Sequence, residues 1–119
     1  MTVLEIDHVQ VAAPVGCEPE ARAFYGELLG LDELPKPEAL AARGGCWFAA
    51  GAQELHVGVE DPFTPARKAH PSFVVSDLHD LASRLGTAGI EVKFNDLIPG
   101  TTRFETTDPF GNRLEFRQA

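Results

Sequence analysis

Apolar and polar residues alternate over the start of this chain, and the same sequence of patterns returns past its middle. Over residues 3–12, Leu4, Ile6, His8 and Gln10 fall on one face and Val3, Val9 and Val11 on the other, a period of two that predicts a strand. After a turn-rich stretch, Glu18 to Leu29 predicts a helix, with Pro19 in its first turn and Gly30 past its end. Ala23, Phe24, Leu28 and Tyr25 form its packing stripe. Leu31 to Leu34 predicts a short strand ended by Pro35 and Pro37, and residues 38–43 read as either a helical turn or a loop. Cys46 to Ala50 and Gln53 to Val59 predict a hairpin turned at Gly51. The second half repeats this order: a strand at Pro71 to Val75, a helix from Leu78 to Thr87 capped near Asp77, and a strand at Ile90 to Phe94. A second hairpin follows, Thr101 to Thr107 with Arg113 to Arg117, turned by Asp108-Pro109-Phe110-Gly111. The order is βαβββ twice, an α+β chain: a first module over 1–60, a proline-bearing linker at 61–69, and a second module over 70–119.

The strand faces carry the candidate chemistry. Leu55, Val57 and Val59 oppose Glu54, His56 and Gly58; Phe73 and Val75 oppose His70, Ser72 and Val74; Leu114 and Phe116 oppose Arg113, Glu115 and Arg117. With helices covering the apolar sides, the other sides present His8, Gln10, Glu54, His56, His70 and Glu115. An antiparallel sheet can leave one face to water, but Lys, Thr and Ser would serve a wetted face better than His and Glu. Imidazoles and carboxylates converging with open positions suit Fe, Mn, Ni or Zn. His79, at a helix start, is expected to be solvated. Trp47, Phe48 and Phe104 are candidate substrate-lining aromatics. Arg43, Arg67, Lys68 and Arg103 are candidate contacts for an anionic group, Arg103 being the one assigned to substrate.

Composition narrows the reading. A chain of 119 residues makes one domain or two half-size units. A net charge of -8 excludes phosphate-backbone binding, so no nucleic-acid partner is expected. No apolar run approaches the roughly 18 residues of a membrane span, so no membrane partner is expected, and the chain reads as cytoplasmic. Cys17 and Cys46 lack a CxxC spacing and read as small buried apolar residues.

The segments DHVQVAAP, ARAFYGELLG, HPSFVVSDL and above all DPFGNRLEF resemble the vicinal oxygen chelate superfamily, the glyoxalase/bleomycin resistance protein/dioxygenase family, over essentially the whole chain. The resemblance implies two βαβββ modules forming an open, curved mixed sheet around a central cavity that holds a divalent metal. The family's ligands, from the first, fourth, fifth and eighth strands, fall here on His8, on Glu54 or His56, on His70 and on Glu115. Glu54 and His56 share a face and either fits; His56 is favoured as the one level with the others. The implied function is a metal-dependent lyase, isomerase or dioxygenase that chelates two oxygens of a small organic substrate, with Glu115 or Glu54 moving a proton. The alternative is a metal-free protein that sequesters a drug or other ligand, against which His8, His70 and Glu115 together weigh. A homodimer is the expected assembly.

Overall fold

A computed structural model describes residues 2–119. The chain forms two units, the first ending at Thr64 and the second running from Pro65 to Ala119. Each is an open four-stranded mixed sheet with helices packed on one face, so the doubled βαβββ order and the α+β class hold.

The first unit holds β1 (His8–Ala13), α1 (Glu18–Ala21), β2 (Glu33–Leu34), α2 (Glu38–Ala41), β3 (Cys46–Ala50) and β4 (Gln53–Val59). Its strands lie in the order β1-β4-β3-β2, with β1 parallel to β4 and the other pairs antiparallel. The expected strand at residues 3–12 begins only at His8, because β4 starts at Gln53 and its last bond in that direction is from the Glu54 N–H to the Asp7 carbonyl, at 3.1 Å. Val3, Leu4 and Ile6 are consequently exposed. The predicted helix over 18–29 is α for one turn and then π-helical over Arg22–Leu28, where the Leu29 N–H reaches the Phe24 carbonyl at 2.9 Å. That wider turn lets consecutive residues, Phe24 and Tyr25, both be buried. Gly30, at φ +76°, closes the helix, and the Leu31 N–H returns to the Tyr25 carbonyl. Tyr25 meets Phe48 with ring centroids 5.9 Å apart, and Leu55 and Val57 complete this core.

The second unit holds β5 (Ser72–Val75), α3 (Leu78–Thr87), β6 (Lys93–Asn95), β7 (Arg103–Thr107) and β8 (Arg113–Gln118) in the order β5-β8-β7-β6, again with its outer pair β5 and β8 parallel. Asp77 caps α3 by accepting the Asp80 N–H at 3.0 Å. Leu78, Leu81 and Leu85 recur at helical spacing and bury one stripe of α3. Phe104 and Phe116, 5.3 Å apart, form the centre of this core. The DPFGN turn is fixed by Asp108, whose carboxylate accepts the Phe110 and Asn112 N–H groups and the Asn112 amide. Asn112 in turn accepts the Ala66 N–H at 3.0 Å, tying the turn to the start of the unit.

Candidate functional site

In the first unit, the face turned away from the helical core carries a stack of three rings. Trp47 and His56 are direct partners across β3 and β4, and their rings lie 4.0 Å apart at 6°. His8 lies on the other side of His56, 4.1 Å away at 14°. His56 is therefore almost fully buried between an exposed imidazole and an indole. Each imidazole has one nitrogen committed. Nδ1 of His8 donates to the Asp7 carboxylate at 2.9 Å, and Nε2 of His56 donates to Glu54 at 2.9 Å. A carboxylate only accepts, so in the neutral form of each ring it is the opposite nitrogen that carries the lone pair.

In the second unit, His70 and Glu115 take corresponding places. His70 lies just before β5, is exposed, and donates from Nδ1 to the Lys68 carbonyl at 2.8 Å, leaving Nε2 open. Glu115 is buried on β8 with Ser72 as its partner across the parallel pair. The Ser72 hydroxyl, then Arg103, and more weakly the neighbouring His70, hold its carboxyl below the usual carboxylate range against the opposing effect of burial. The ion partner of Glu115 is Arg103, diagonal to it across β7 and β8, rather than Arg113 or Arg117. Arg113 pairs with Glu105 at 2.6 Å instead. These diagonals offset an unfavourable register in which Glu105 faces Glu115 and Arg103 faces Arg117.

The two units count their rungs identically. Two residues after His8, Gln10 faces His56; two residues after His70, Ser72 faces Glu115. By register His8 corresponds to His70 and His56 to Glu115, while Glu54 corresponds to Arg113. The internal repeat thus distinguishes Glu54 from His56, which strand faces alone leave equivalent.

Two of the expected substrate-lining residues belong elsewhere. Phe48 follows Trp47 and Phe104 follows Arg103, so alternation sends both to the opposite face, where they are fully buried in their cores. Arg103 itself is engaged by Glu115 and by Asn95 at 3.2 Å. His79 stacks on Phe94, away from the donor positions. The sequence reading missed Asp7 and Ser72 as partners of the donor residues, although Asp7 adjoins His8 and Ser72 shares a face with His70. Among the described residues no group of three or more His, Cys, Asp or Glu side chains is assembled to hold a metal ion. No helix of the described residues is long and apolar enough to cross a membrane.

A βαβββ unit used twice, with a helical core on one sheet face and imidazole or carboxylate donors on the other, defines a paired-module α+β protein. The chain belongs to the Glyoxalase/Bleomycin resistance protein/Dioxygenase superfamily, which it matches over residues 5–116. It is similar in structure to a glyoxalase family protein from Bacillus anthracis, at 55% identity and a TM-score of 0.96, covering 99% of this chain and 97% of the other. It also resembles lactoylglutathione lyase from Agrobacterium tumefaciens (20% identity, TM-score 0.76, covering 100% and 96%). A third similar structure is TnmS3, an antibiotic binding protein from Streptomyces sp. CB03234 (23% identity, TM-score 0.76, covering 99% and 98%). At those identities the last two share the fold alone. A search of curated proteins finds no match.

Proposed function

We propose that the chain is a metal-dependent enzyme acting on a small organic substrate, with His8, His56, His70 and Glu115 as the donors of a divalent ion. The observation that carries this reading is the state of the three imidazoles. Each has one ring nitrogen fixed by a protein oxygen, from Asp7, Glu54 or the Lys68 carbonyl, and the other without a protein partner among the described residues. That is the arrangement in which outer partners orient metal-ligating histidines. His79 makes no such bond among the described residues. The donor chemistry, three imidazoles and one carboxylate, fits a borderline divalent ion such as Fe, Mn, Ni or Zn.

A bound ion supplies Lewis acidity toward two oxygens of a substrate. The chain's own groups do the rest. Glu115, held ionised by Ser72 and Arg103, suits a ligand, and its lowered pKa makes it a weak proton acceptor. Glu54, whose carboxylate holds Nε2 of His56, orients that ring as a ligand. Calorimetric titration of the protein with Ni²⁺ tests the donor assignment. His8→Ala and Glu115→Ala are each expected to weaken binding by at least about tenfold. Full retention of binding by both variants would remove the proposed site.

The alternative is ligand sequestration without metal; TnmS3 is by its name an antibiotic binding protein. Trp47, which lines a cavity of the first unit, favours it, since an indole stacks on planar molecules without help from a metal. Ligand binding undiminished in excess EDTA, together with no Ni²⁺ binding, is the outcome that selects it.

A further inference from the structure

The first unit contains a cavity of about 230 Å³ on the Trp47 face of its sheet, at the end where α2 joins β3. Gln10, Lys36, Leu40, Arg43, Trp47 and Gly58 are among the residues that line it. Its floor is built with care. A Cβ at Gly58 would lie 2.6–2.8 Å from the terminal amide atoms of Gln10, so the absence of a side chain at 58 is what lets that amide lie flat on β4. Its wall is the indole of Trp47, whose plane continues the His56 stack.

Its charge is the unusual feature. In a chain of net charge -8, two cationic side chains line this one cavity and neither has an acidic partner among the described residues. The ammonium of Lys36 donates to the Gly44 carbonyl. Arg43 forms no ion pair among the described residues. The nearby Arg22 is different, being held by Glu33 at 2.9 Å. Glu18, a carboxylate beside Gly44, accepts the Gly45 N–H at 2.6 Å and is hydrogen-bonded by the buried Cys17 thiol. Neither cation of the cavity is therefore paired with a carboxylate among the described residues.

We infer that this cavity is an anion-recognition subsite, in which Lys36 and Arg43 hold the oxyanion of a small planar organic acid whose unsaturated body lies along Trp47. A guanidinium fork and an ammonium are suited to carboxylate or phosphate oxygens, and a ring lying on an indole gains contact area at little entropic cost. The inference rests on the reading that the polar face of the first sheet receives the substrate, and it names the class of that substrate: an organic acid.

Trp47 is the chain's single tryptophan, so its fluorescence reports this site directly. The test titrates the full-length protein in excess EDTA with 4-nitrobenzoate and, separately, with the neutral isostere 4-nitrobenzamide. The acid is expected to quench saturably and about tenfold more tightly than the amide, with affinity falling as salt is raised. Lys36→Gln with Arg43→Gln is expected to abolish that preference, Lys36→Arg with Arg43→Lys to keep most of it, and Arg84→Gln on α3 of the second unit to leave it unchanged. Equal binding of acid and amide, no saturable quenching by either, or an acid preference that survives the double glutamine variant overturns the inference. Because EDTA removes metal from this measurement, its failure is separable from failure of Ni²⁺ binding at the donor residues, which is read without any organic probe.

Discussion

Adjacent residues on one strand carry opposite duties here, and mutation separates them. Phe48 is fully buried against Tyr25, whereas Trp47 faces the other way over His56. Phe48→Ala is expected to cost about 3–5 kcal/mol in urea unfolding through the cavity it leaves. Trp47→Ala should cost far less stability and instead weaken binding of planar ligands, measured by calorimetry. Glu115 supplies a pH dependence. Its carboxyl is held low first by the Ser72 hydroxyl and then by Arg103, so the folded state favours its ionised form. That stabilisation is present above the unfolded carboxylate value of about 4.3 and is lost as pH falls through the lower native value. Ser72→Ala should therefore lower stability by about 1–2 kcal/mol at pH 7, with the difference from wild type shrinking on acidification toward pH 3 in a series of melting curves. Cys17 shows the reverse sign. Burial, then the charge of Glu18, pushes its thiol up to about 11, and burial also raises that of Cys46. Both thiols should resist Ellman's reagent at pH 8 until the protein is unfolded, and melting temperature should drop as pH rises from about 9 to 11.

Among the elements, those whose local signals agreed were legible from sequence. Cys46–Ala50, Gln53–Val59 and Leu78–Thr87 run as the alternation and capping predict, because burial pattern, turn residues and the Asp77 cap point the same way. The segments that differ are those whose limits are set by a neighbour. β1 starts late because β4 does, and Lys93–Asn95 forms a strand only where Arg103–Glu105 lies beside it. The π-helical turn at Arg22–Leu28 follows from packing two successive aromatics, which a 3.6-residue period does not foresee. The entry into β3 has its own requirement. Gly45 sits at φ +86°, and a Cβ there would come within 2.1 Å of the Val57 carbonyl oxygen. Gly45→Ala must break this backbone contact, so a loss of more than about 1 kcal/mol in the denaturant midpoint is expected, against little change for Gly86→Ala, where the space is open.

At the scale of the whole molecule, the repetition was visible in the sequence, and the family followed from the DPFGNRLEF end. The proposed donors drew notice in the sequence because His and Glu stand out against apolar neighbours on a strand. Their partners were less so, since Asp7, Ser72 and the Arg103 diagonal depend on register, which periodicity does not fix. The cavity lined by Lys36 and Arg43 was hidden for the same reason: residues 38–43 carry no decisive pattern until α2 is seen beside β3. One feature of the repeat has a wider bearing. In both halves an imidazole stands two steps ahead of the rung where the second donor sits, yet that second donor is nitrogen in one half and oxygen in the other. Pleated backbone makes parity unforgiving and chemistry negotiable: substitution at His56 or Glu115 merely changes an element, whereas inserting a single amino acid after His8 or His70 turns that ring to the wrong side. Descendants of such a duplicated ancestor can therefore exchange atoms freely, but they inherit the count.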